Sequence, residues 1–273
     1  MSIFEILEKR EIKPANEFER LVALFHYEWG TFRLKTSLKQ IINNVFHKIP
    51  TQLRQTFLSV DDLLKGIGLS EDYAYWKEWK DLFLYSEMLL NLINYTKEYF
   101  EKDDTARETA QQIVSNINVI LEKTNHEWVQ TKEGYIIVDK NPAATEAIEC
   151  LENDKTDLAL NMIEYNRVLL KGNLARKREI LVTLADYTEP MNNDFKRSQY
   201  AALYNDSRFL VNAIDIRHNN SGKGDLPEKA KSWTSQEKED WYDKTYQVLL
   251  TVILARKHID VSKEIQDLKP ARK

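Results

Sequence analysis

Seven glycines and six prolines in 273 residues leave few places where this chain can turn sharply, so long uninterrupted elements must carry its fold. Apolar spacing says which kind. From Glu17 to Leu38, the residues Leu21, Leu24, Phe25, Trp29 and Phe32 recur every three or four positions, the period of a helix. The same period predicts a helix over 41–57 and a short one opened by the N-cap Ser59, with Asp61 and Asp62 behind it. It also predicts one long aromatic-rich helix opening at Ser70 and another over 105–121. The stretch "HEWVQTKEGYIIVDKNP" breaks the pattern. Its β-branched and aromatic runs flank "KEG", and Pro142 closes it, which predicts a small β-hairpin near 127–140. Helices over 143–152, 155–170 and 173–188 follow, then a long one over 194–217. A polar loop leads to a last helix whose Thr234 and Glu237 have the spacing of a capping box. The expected fold class is mainly α with one β-hairpin insertion. The expected division is a helical domain over 1–123, the hairpin with a second helical domain over 124–262, and a frayed tail over 263–273.

Composition narrows the function classes. With 42% hydrophobic and 30% charged residues the chain can bury a core and does not read as disordered. A net charge of −4 supplies no global attraction to nucleic acid or anionic lipid, so RNA binding would need a local basic patch. One cysteine, Cys150, excludes an internal disulfide and fits a reducing compartment. Scattered histidines offer no metal site, and no cofactor motif is present. The "GKG" at 222–224 lacks a preceding strand and a following Ser or Thr, which argues against a phosphate-binding loop. The opening "MSIFEILEKREIK" has no signal-peptide core, and no apolar run reaches membrane-spanning length. The expectation is a cytoplasmic protein with no membrane contact.

The candidate site lies at a helix end. Tyr200, Leu203, Ser207, Leu210, Ile214 and Arg217 form one helical row, and Tyr204, Val211 and His218 form the next. The spacing predicts that the helix delivers Arg217 and His218 together at its C-terminus, with Asn212, Asp215 and Asn219 beside them. Cationic residues suit a helix C-terminus through its dipole, and asparagines end helices in left-handed geometry, which accounts for the cluster structurally. The functional reading is equally specific. A guanidinium binds phosphate and an imidazole moves protons near neutral pH, the pair that phosphodiester cleavage by a 2′-hydroxyl requires. Carboxylates expected to partner Arg217 are Asp215, Asp225, Glu239 and Asp243.

The hairpin "EWVQTKEGYIIVDKNPAATEAIE", the segment "LLKGNLARKREILVTLADYTEP", the helix end "NAIDIRHNN" and the final "EKEDWYDKTYQVLLTVIL" follow one another over 110–262. In that order they resemble bacterial abortive-infection proteins (AbiJ-like) of the HEPN superfamily. The resemblance implies an antiparallel helical bundle that forms a homodimer. It also implies a metal-independent endoribonuclease of phage defence or a toxin, with RNA as substrate, Arg217 and His218 catalytic, and an antitoxin or phage-derived trigger as partner. Catalytic members place four to six residues between arginine and histidine, whereas Arg217 and His218 are adjacent. Arg20 and His26 have that spacing, but only apolar residues separate them, outside the resembling region. The alternative is a non-catalytic helical sensor or partner-binding subunit.

Lys171, Arg176, Lys177 and Arg178 gather at a helix start as candidate RNA contacts, and Arg256, Lys257 and His258 form a second basic group. Solvated helix faces are the simpler account of both groups in a chain with this many Lys and Glu. Tyr73, Trp76 and Trp79 read as core by their spacing, and Cys150 as a structural thiol without a neighbouring base.

Overall fold

A computed structural model of the chain describes residues 3, 5, 9–32, 34–72, 77–151, 155–217, 230 and 232–269. The fold is mainly α, arranged as two compact units, Met1–Lys140 and Asn141–Lys273. Among the described residues no helix is long and apolar enough to cross a membrane.

In the first unit α1 (Pro14–Phe25) opens on a proline, whose missing N–H costs nothing in a first helical turn. Its buried face carries Phe18, Leu21, Val22 and Phe25. The chain then leaves the helix expected over 17–38. Strands β1 (Glu28–Thr31) and β2 (Leu34–Ser37) pair antiparallel, Glu28 opposite Ser37. Gly30 explains the departure: its φ is 113°, and a Cβ there would lie 2.3 Å from the Leu34 carbonyl oxygen. Phe32, which continued the helical stripe in sequence, is 98% exposed. After α2 (Leu38–Asn44), Pro50 interrupts the helix expected over 41–57, leaving only the short α3 (Thr51–Arg54). Ser59 caps α4 (Val60–Gly66), its Oγ accepting from the Asp62 N–H at 3.1 Å. The long helix α5 (Trp79–Thr96) begins later than Ser70, because Glu78 and Asp81 form the capping box that sets its start. Asp103 caps α6 (Asp104–Lys123).

Strands β3 (His126–Thr131) and β4 (Gly134–Asp139) form the expected hairpin. The backbone of β4 is satisfied from α5. Asn91 Nδ2 donates to the Tyr135 carbonyl at 2.7 Å while its Oδ1 accepts from the Tyr135 N–H at 2.7 Å. Glu87 Oε2 accepts from the Ile137 N–H at 3.0 Å. Only glycine fits at 134, since a Cβ there would meet Asn91 Oδ1 at 2.2 Å. These contacts place the hairpin in the first unit, whereas the sequence reading grouped it with the helices that follow.

A polar cluster built on the buried Lys39 joins α2, the start of α4 and the segment before α5. Lys39 Nζ donates to Asp61 and Glu71, each at 2.6 Å, and Tyr85 Oη donates to Glu71 at 2.6 Å. Burial by itself would push the Glu71 carboxyl up. Hydrogen bonds from His26, Lys39 and Tyr85 outweigh it and hold the group down to about 2.

In the second unit α7 (Pro142–Glu149), α8 (Thr156–Tyr165), α9 (Leu174–Thr188), α10 (Asn192–Phe195), α11 (Ala201–Ala213) and α12 (Ser235–Leu268) surround a core that includes Leu181, Leu184, Val211, Leu249 and Ile253. Thr234 and Glu237 make both bonds of the expected capping box. The single helix expected over 194–217 is instead α10 and α11, separated by 196–200.

Two outcomes follow for the first unit. Asn91→Ala leaves two backbone groups of β4 without partners and should lower unfolding free energy by about 2–4 kcal/mol, measured by chemical denaturation. Because the Glu71 carboxyl is depressed in the folded state, its contribution is complete above about pH 4.5 and is lost as pH falls towards 2. Glu71→Gln should therefore be less stable at neutral pH and lose less stability on acidification, read from thermal melts across that range.

Candidate functional site

Helix α11 stops at Ala213 because Asp215 adopts a left-handed backbone, φ 63°, a conformation that aspartate tolerates better than most residues. The Arg217 N–H then turns back to the Val211 carbonyl at 3.1 Å. This reversal carries Arg217 off the expected row and towards the end of α9. Its Nε donates to Asp186 Oδ1 at 3.1 Å, its Nη1 to Glu189 Oε1 at 2.8 Å, and its Nη2 to Asp186 Oδ1 at 2.5 Å and also to Glu189 Oε2. Arg208 shares Glu189, donating to Oε1 at 3.0 Å. The hydrogen bonds from Arg217 hold the Glu189 carboxyl down to about 2, and both carboxylates push the Arg217 guanidinium further up, so it stays charged.

The other expected site residues part company here. The Asp215 carboxylate accepts from Lys238 Nζ at 3.2 Å, and its carbonyl from Arg178 Nε at 2.8 Å. Asn212 is exposed on α11. His218 and Asn219 lie outside the described residues, as does Asp225. None of Asp215, Glu239 and Asp243 is the partner of Arg217; Asp186 and Glu189 are. The signal for them was in "ADYTEP", where two carboxylates three residues apart share the last turn before Pro190. In the first unit Arg20 pairs with Glu17 and His26 with Glu71, so that pair is not assembled either.

The candidate RNA contacts are largely engaged. Lys177, with 5% of its side chain exposed, bridges Glu239 at 2.8 Å and Asp243 at 2.7 Å. Arg176 is held by Glu164 and Glu179, and Arg178 by the Asp215 carbonyl. Lys171 remains exposed. In the second basic group Arg256 pairs with Asp194 and Asp260, and His258 lies 3.1 Å from Tyr200 Oη.

A cleft of about 720 Å3 in the second unit was not anticipated. Asp186 forms part of its wall, so the carboxylate that holds Arg217 also faces this space, with Cys150, Lys155 and Lys257 around it. The Cys150 thiol donates to the Glu146 carbonyl in its own helix at 3.1 Å, as a structural thiol would. Among the described residues no group of histidine, cysteine or carboxylate side chains is arranged to hold a metal ion. What the helix end can do is hold two carboxylates and two guanidiniums in a neutral lattice.

That lattice is testable. Arg217→Gln should lower the thermal midpoint by a few degrees at pH 7, because two carboxylates lose their common donor. Since Glu189 is depressed when folded, the contact is complete above about pH 4.5 and fades towards 2, so the deficit of the variant should shrink on acidification. No family model matches the chain, and neither the curated proteins nor the solved structures contain a significant match to it.

Proposed function

We propose that the chain is a non-catalytic helical module that binds a partner within a phage-defence or regulatory system. One observation carries this reading: the Arg217 guanidinium is spent on Asp186 and Glu189. A phosphodiester cleavage site needs that charge for the phosphate, and here an incoming phosphate would have to displace two carboxylates already bound in fork geometry. The engagement of Arg176, Lys177 and Arg178 by acidic side chains and a carbonyl supports the same reading, since an RNA track requires cations turned outward. The defence setting rests on the resemblance to abortive-infection proteins.

The ribonuclease reading makes the opposite forecast, so one experiment separates them. Purified wild-type chain, Arg217→Ala and His218→Ala are incubated with total RNA without metal, each first checked by thermal melt. Intact RNA in all three, with no growth arrest on induction of any of them in bacteria, is the expected result. RNA cleavage by wild type that a folded His218→Ala variant abolishes would overturn the proposal and assign the helix end as an active site.

A further inference from the structure

Helix α12 carries two apolar faces. Val252, Ala255 and Ile259 pack on α10 and α11, in one cluster with Phe195, Leu203 and Tyr204. A second row, Leu254, His258, Val261, Ile265 and Leu268, lies about 130° round the helix from the first, at 3.6 residues per turn. Its spacings are four, three, four and three, the heptad period of helices that pair along a seam. The row begins in the core of the second unit, where Leu254 is partly buried, and then leaves it. Val261, Ile265 and Leu268 are 38%, 45% and 83% exposed. Among the described residues, the side-chain bonds from Ser262 onward stay within the helix, Ser262 with His258 and Lys263 with Asp260. A helical stretch this short is marginal in water unless an apolar face of it is packed.

We propose that this row is the surface on which two copies of the chain pair, their α12 helices antiparallel about a two-fold axis level with Ile259 and Asp260. Charge argues for a second copy. Lys257 and Glu264 flank the row on the same side, one heptad apart, and both are exposed. An antiparallel copy brings each Lys257 to the Glu264 of the other, so one two-fold closes both pairs. Parallel helices would instead set Lys257 beside Ser262 and Glu264 beside Lys269, leaving Lys257 without a carboxylate. In the antiparallel register Val261 lies against His258 of the other copy and Ile265 against its Leu254, while Leu268 meets the exposed Thr251. His258 is the polar member of the row, its Nδ1 3.1 Å from Tyr200 Oη, and a polar residue in such a seam favours one register. This surface does not involve the Arg217 lattice, so it goes beyond the function proposed above and stands or falls separately from it.

The test is sedimentation equilibrium of the full chain at neutral pH, from low micromolar to several hundred micromolar. A reversible monomer–dimer equilibrium is the expected result. Ile265→Glu should abolish the dimer and leave the thermal melt of dilute protein unchanged, because Ile265 is exposed in the single chain. Lys257→Glu and Glu264→Lys should each weaken the dimer about tenfold, since like charges then meet twice across the axis. Combined in one chain, the two exchanges should restore it, which separates loss of pairing from loss of folding. A monomer at every concentration overturns the proposal, and a dimer that survives Ile265→Glu overturns the surface. A dimer that Lys257→Glu leaves intact overturns the antiparallel pairing, and association beyond the dimer overturns the two-fold axis.

Discussion

The Lys177 ammonium is almost fully withdrawn from water, and the geometry of the second unit depends on how that charge is satisfied. Taking an ammonium out of water costs several kcal/mol unless partners replace the lost hydration. Glu239 and Asp243, one turn apart on α12, supply them, with the Tyr165 ring 5.3 Å below the nitrogen. Each partner is itself tied down. Asp243 accepts from Tyr165 Oη at 2.9 Å and Glu239 from the Gly172 N–H at 2.8 Å. Further along α12, Tyr246 stacks on Tyr165 at 4.0 Å and donates to the Met162 carbonyl at 2.7 Å. A slip of α12 by one residue would strand the ammonium and break every one of these bonds. With α12 held in this register, Lys238 reaches Asp215 and Arg256 reaches Asp194.

The first unit solves a comparable problem by satisfying backbone groups rather than a buried charge. A two-stranded hairpin has exposed backbone on both sides and is marginal alone. Asn91 satisfies Tyr135 in both directions and Glu87 takes the Ile137 N–H, so helix α5 substitutes for a missing third strand. Gly134 is the counterpart of that arrangement, leaving room for the Asn91 side chain. The hairpin thus belongs to the helices before it by hydrogen bonding, although it is adjacent in sequence to those that follow.

The same accounting bears on function. Across the second unit, cations that the sequence offered for RNA are committed to carboxylates or carbonyls: Lys177, Arg176, Arg178, Arg256 and, at the helix end, Arg217.

Features that depend on neighbours within one or two turns were legible in the residues themselves. The caps at Ser59 and Thr234, the helix Leu174–Thr188, the start of the helix Ser235–Leu268, which runs past the tail expected to fray from 263, and the hairpin around "KEG" all rest on such spacings. Where a local rule was outvoted, one residue explains it: Gly30 turned a helical stripe into strands, and Asp215 ended α11 before Arg217. By itself the sequence determined a mainly helical chain with its polar helix end and its basic clusters. Only the tertiary structure decided what those charges do. Arg217 meets carboxylates 31 and 28 residues away, and Lys177 meets one 66 residues away. An ion pair at such separation is set by the packing of whole helices, and no periodicity along the chain encodes it.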